Sequence, residues 1–92
     1  MGKVDCFAIH GLLLWFNSND HLPPHFHAER VGEWGIVVRF LRPLAQMIER
    51  VWGELPTRKD RKVIVGLAAK HRVDLLAEWE MKTGPKGPGL EE

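Results

Sequence analysis

His25-Phe26-His27-Ala28-Glu29-Arg30-Val31-Gly32-Glu33-Trp34-Gly35-Ile36-Val37-Val38-Arg39-Phe40-Leu41 is the stretch whose reading decides the fold. Successive side chains of a strand point to opposite faces. Over His25 to Val31 this places His25, His27 and Glu29 on one face, and Phe26, Ala28 and Arg30 on the other. Gly32-Glu33 suits a tight turn. Trp34, Ile36, Val38 and Phe40 then share one face of a second strand, opposite Val37 and Arg39. Two alternating apolar runs around a glycine turn predict a β-hairpin.

Upstream, Val4 to His10 and Leu12 to Asn17 are apolar and rich in aromatic and branched residues, with Gly11 between them. Length and composition predict two further strands meeting near that glycine. Ser18-Asn19-Asp20 supplies turn formers, and Pro23-Pro24 excludes both a helix and a central strand. Residues 18–24 therefore read as a stiff loop feeding the hairpin. Downstream, residues 44–52 fit a short helix over Leu44 to Trp52, or a strand over Gln46 to Trp52 ending at Gly53. The alternation of Glu49, Val51 and Gly53 against Ile48, Arg50 and Trp52 favours the strand.

After Pro56 the pattern becomes helical. Thr57 with Asp60 three residues on resembles a capping box. Ile64, Leu67, Ala68, His71, Leu75 and Trp79 follow at helical spacing. Thr57 to Met81 is one helix, or two broken near Arg72-Val73-Asp74 with Asp74 capping the second. The expected fold is α+β: an antiparallel sheet of four to five strands with one long or two short C-terminal helices packed on one face. Residues 1–82 form a single domain, and 83–92 read as a flexible C-terminal tail.

The 92 residues are 45% hydrophobic and 27% charged, which is globular composition, and the net charge of +1 excludes strong global attraction to nucleic acid or membrane. Cys6 is the only cysteine, so no intrachain disulfide forms, in keeping with a reducing cytoplasm. The apolar run from Phe7 to Phe16 is too short to cross a bilayer and lacks the flanks of a signal peptide. A cytoplasmic protein without membrane contact is expected. No glycine-rich phosphate loop, Ser/His/Asp arrangement or dinucleotide fingerprint is present.

Chemistry concentrates in Asn19-Asp20-His21-Leu22-Pro23-Pro24-His25-Phe26-His27, which holds three of the five histidines. Asp20, His21, His25 and His27 are the candidate catalytic residues. One reading is a metal site for zinc or another divalent cation, using His25 and His27 with a third ligand from His21, Asp20 or Glu29. A second is metal-free acid–base chemistry of the kind ribonucleolytic cleavage needs, with Arg30, Arg39 and Arg42 available to a phosphate. A third has the histidines and Asp20 hydrogen-bonding the backbone of a proline-stiffened loop. His71 and Glu29 are candidates for orienting this group, His71 by reaching across to Asp20 or His25. Arg58, Lys59, Arg61 and Lys62 crowd the start of a helix, where cations oppose the macrodipole, so an anionic partner such as nucleic acid would relieve them. Trp15, Trp34, Trp52 and Trp79 read as core or core-edge groups, and Cys6 as a buried small apolar residue.

The histidine stretch resembles the signature N-D-H-x-P-P-H-x-H of a family of small bacterial proteins, domain of unknown function 4160. Gly53-Glu54-Leu55-Pro56-Thr57-Arg58 is similar to that family's G-x-L-P-x-R element, and supports a strand rather than a helix before it. Ala69 to Trp79 is similar to its H-x-x-E-L-x-x-x-W ending, with Asp74 where Glu is usual. The resemblance spans residues from about 6 to 82. It implies a small partner protein from a neighbouring gene, in a pair like a toxin–antitoxin module, with a link to RNA or DNA. A ribonuclease or other phosphodiester hydrolase using His25 and His27 is the alternative. An exposed edge strand would also suit a homodimer.

Overall fold

The computed structural model describes residues 2–83. The hairpin forms as expected: β3 (Phe26–Arg30) pairs antiparallel with β4 (Trp34–Val38), His27 opposite Val37 and Arg30 opposite Trp34. Gly32 turns the chain at φ 80, a conformation that glycine adopts without steric cost. The sheet is a five-stranded meander whose spatial order follows the chain, β1-β2-β3-β4-β5. β1 is Gly2–Lys3, β2 is Leu13–Phe16 and β5 is Ile48–Gly53.

Two expectations change here. Val4 to His10 is not a strand: the pairing with β2 runs through Gly2 and Lys3 and ends at the Val4 amide, which donates to the Leu14 carbonyl at 3.1 Å. The amides of Asp5 and Cys6 donate instead to the Glu78 carboxylate, at 2.7 and 2.8 Å. The apolar residues of that segment pack against the core: Val4 is buried, and Phe7 meets Phe26 edge-on. Residues 44–52 combine both alternatives, one 3₁₀ turn at Leu44–Gln46 followed by the favoured strand.

The helical region divides at His71 into α1 (Arg58–Lys70) and α2 (Arg72–Lys82). Thr57 caps α1, its Oγ1 accepting from the Asp60 amide at 3.1 Å. The capping box stays half-formed, because the Asp60 carboxylate pairs with Arg30 on β3 at 3.0 Å. Asp74 lies in the first turn of α2 but does not cap it; no side chain does. Both helices cover one sheet face, where Ile64, Ala68, Leu75 and Trp79 close over Phe16, Phe26, Ala28, Ile36 and Val38. Full burial of a large side chain contributes about 1.5–3 kcal/mol, so this layer carries most of the fold.

Trp34 and Trp79 are core residues, as expected, whereas Trp52 is 41% exposed. Its indole lies over Gly35 on the face away from the helices, where a Cβ on Gly35 would collide with Nε1. The expected flexible tail lies outside the described residues except for Thr83, which is buried and donates from Oγ1 to the Trp79 carbonyl. Among the described residues, no helix is long and apolar enough to cross a membrane.

Candidate functional site

The loop after β2 folds back so that Asp20 reaches the start of β3. The Asp20 amide donates to the Asn17 carbonyl at 3.1 Å, and the Asn17 amide donates to Asp20 Oδ2 at 2.9 Å. This reciprocal pair pins the carboxylate beside two imidazoles. His27 Nε2 lies 2.9 Å from Asp20 Oδ1 and 3.2 Å from Oδ2, and His25 Nε2 lies 3.4 Å from Oδ1. Donor atoms of Asp20, His25 and His27 all fall within 4.8 Å of one another. The histidine rings stand edge to face, with centroids 5.2 Å apart.

Each member is held from behind. His25 Nδ1 meets the Pro23 carbonyl at 2.8 Å, and its ring rests against Trp79 of α2. The His27 ring stacks on Trp15, its cross-strand partner in β2, with centroids 5.3 Å apart and planes 16° from parallel. Trp15 Nε1 donates to Asn17 Oδ1 at 3.0 Å, which turns the Asn17 amide nitrogen towards His27 Nε2 at 3.2 Å. Asp20 and His25 are each 8% exposed, so the cluster is nearly closed from water. Burial pushes the Asp20 carboxyl up. The hydrogen bond from His27, the Asn17 amide and the charges of the two rings outweigh that and hold it below the usual value.

Of the sequence candidates, Asp20, His25 and His27 come together and His21 does not. His21 is exposed on the loop, and Asp20 takes the third donor position of the metal reading in its place. Glu29 shares a sheet face with His27 but stands two residues further along β3, about 7 Å by the strand rise. It lines an open groove of about 580 Å³ together with Phe7, Leu12, Leu13 and Trp15.

His71 is likewise placed elsewhere. It stacks on Phe7 at the α1–α2 junction, with its Nδ1 3.7 Å from Asp74. The α2 residue that meets His25 is Trp79, two turns further on. Arg30 and Arg39 are paired with Asp60 and Glu49, so neither stands ready for a phosphate. Arg58, Lys59, Arg61 and Lys62 begin α1, which meets β3 through the Asp60–Arg30 pair. That is the far end of β3 from the cluster, about 10 Å from His27 along the strand. Arg61 is spent on the Pro56 carbonyl.

Asn17, Trp15 and Trp79 are the site residues that the sequence reading missed. For Asn17 and Trp15 a signal existed: Trp15 is in register with His27, and Asn17 stands two residues on, just past the end of β2. Trp79 comes from another layer, and no local pattern links it to the loop.

Comparison with protein-family models matches residues 11–80 to the family described as domain of unknown function DUF4160. The chain belongs to this family. The match takes in the whole Asp20–His25–His27 cluster, the Trp15 and Asn17 that support it, and Trp79. Comparisons with curated proteins and with solved structures returned no match.

Proposed function

We propose that this DUF4160 chain is a partner-binding component of a two-protein module of the toxin–antitoxin kind, and that the loop from Asn19 to Pro24 is its recognition surface. One observation carries the reading. Asp20, His25 and His27 face inward on one another, while the loop they tether is turned to solvent, with His21 exposed and Leu22 65% exposed. A loop fixed before binding loses less conformational freedom on docking.

Purified chain mixed with the purified product of the neighbouring gene tests this. A stable complex is expected, weakened by Leu22→Asp or His21→Ala on the surface and by His25→Ala beneath it. Full retention of binding in all three variants removes the loop from the interface.

The hydrolase reading has one observation in its favour: Asp20 orients His27 as a carboxylate orients a general base. It predicts cleavage of RNA or another phosphodiester that is lost in His27→Ala. A clean preparation that leaves a broad RNA panel intact removes it.

A further inference from the structure

Beyond partner recognition, we infer that Asp20, His25 and His27 bind one divalent transition-metal cation of the zinc class. The argument starts from protons. A carbonyl oxygen only accepts, so His25 Nδ1 carries the hydrogen that it shares with Pro23. In the neutral ring His25 Nε2 is then a lone pair, yet it faces the Asp20 carboxylate at 3.4 Å. His27 meets a sharper conflict. The Trp15 indole only donates, so Asn17 turns Oδ1 to Trp15 and its NH₂ to His27 Nε2. That contact requires a lone pair on Nε2, whereas the Asp20 oxygens at 2.9 and 3.2 Å require a hydrogen there. No proton assignment of His27 serves both.

A cation replaces the contested protons, because both Nε2 lone pairs and the carboxylate then converge on a positive centre. The spacing fits. Ligands about 2.0–2.2 Å from a tetrahedral zinc lie about 3.3 Å apart; Asp20 Oδ1 stands 2.9 Å from His27 Nε2 and 3.4 Å from His25 Nε2, and all three donor atoms lie within 4.8 Å of one another. The backing has the form that metal sites use: the far nitrogen of His25 is anchored to a backbone carbonyl, and the carboxylate is held by the Asn17 amide. Two imidazoles and one carboxylate suit zinc, iron(II), cobalt(II) or nickel(II) rather than calcium or magnesium, which prefer all-oxygen shells. Three protein ligands leave a fourth position for water or an incoming group. The His27 side chain, 18% exposed, is the one nearest to solvent.

Titration of the full chain with Zn²⁺ by calorimetry, and with Co²⁺ by visible absorption, tests the inference. One ion per chain is expected, with the intense visible bands of tetrahedral Co²⁺ and a higher thermal midpoint in the presence of Zn²⁺. His25→Ala, His27→Ala and Asp20→Asn should each weaken binding at least 100-fold, while His10→Ala and His21→Ala leave it within about twofold. Circular dichroism of each variant separates lost ligation from lost folding. Asn17→Ala, which keeps the backbone amide on Asp20 and removes only the side-chain donor that competes for the His27 Nε2 lone pair, should not weaken binding. Absence of stoichiometric binding to the folded wild type overturns the inference, and so does binding that depends on His10 or His21. Neither result bears on whether the loop contacts a partner protein.

Discussion

Trp15 and His27 occupy paired positions of β2 and β3, and their rings lie face to face, 5.3 Å between centroids and 16° from parallel. The indole is thereby wall and brace at once. It packs one side of the histidine while its N–H fixes the Asn17 amide that turns towards the same ring.

Asp20 is stabilised as a carboxylate by the fold, which sets the sign of an acid effect. Its folded-state pKa lies below the unfolded value of about 3.9. The contribution is therefore complete above that value and is lost as pH falls through the folded one. Asp20→Asn should cost about 1–3 kcal/mol at neutral pH, since it leaves buried partners mismatched. The difference in thermal midpoint between wild type and variant should shrink below about pH 4. Asp5 and Glu78 are also held low and titrate in the same region, so the difference curve, and not the wild-type curve alone, isolates Asp20.

Glu78 is the anchor of the segment before β2. Its two oxygens take the amides of Asp5 and Cys6, and Lys82 bridges Glu78, Asp5 and the Lys3 carbonyl. Glu78→Ala should cost about 1–3 kcal/mol through the two orphaned amides. It should also raise hydrogen exchange at Asp5 and Cys6 selectively, as amide NMR would detect.

Gly35 cannot carry a side chain without moving Trp52, because its Cβ site is filled by that indole. Gly35→Ala should expel the ring towards water, red-shifting tryptophan emission, and lower stability by about 1–3 kcal/mol. Trp52→Ala in the Gly35→Ala background should recover part of the loss, as additivity fails for residues in contact.

Cys6 is chemically quiet. Burial and the hydrogen bond to Glu78 push its thiol up to about 12, so the thiolate is scarce at ordinary pH. Alkylation of the folded chain at pH 8 should be much slower than that of the chain in denaturant. Glu78→Ala should speed it, and mass spectrometry reads both rates.

Much of this fold was legible because it is local. The alternation through Phe26, Ala28, Ile36, Val38 and Phe40 fixes both strands of the hairpin, and Thr57 marks the start of α1 by its cap. Val4 to His10 misleads because burial alone explains its apolar residues. Its amides go to a glutamate 73 positions away, which composition cannot reveal. The site divides along the same line. Asp20, His25 and His27 lie within one motif and announce themselves. His71 shares the helix periodicity of Trp79 but stops two turns short of His25, and only the placement of α2 on the sheet shows which residue arrives there.

The contact from Lys82 Nζ to the Lys3 carbonyl, 2.6 Å across 79 positions of sequence, makes the described fold almost a ring. A short linker between those residues would close it, and the Gly32-Glu33 turn, exposed and on the sheet surface, offers a place to reopen it. The cluster residues and their supports all fall outside that cut: residues 15–27 lie before it and Trp79 after it. A circularly permuted chain would thus carry the histidine loop intact, in a molecule whose new ends leave from the β3–β4 turn.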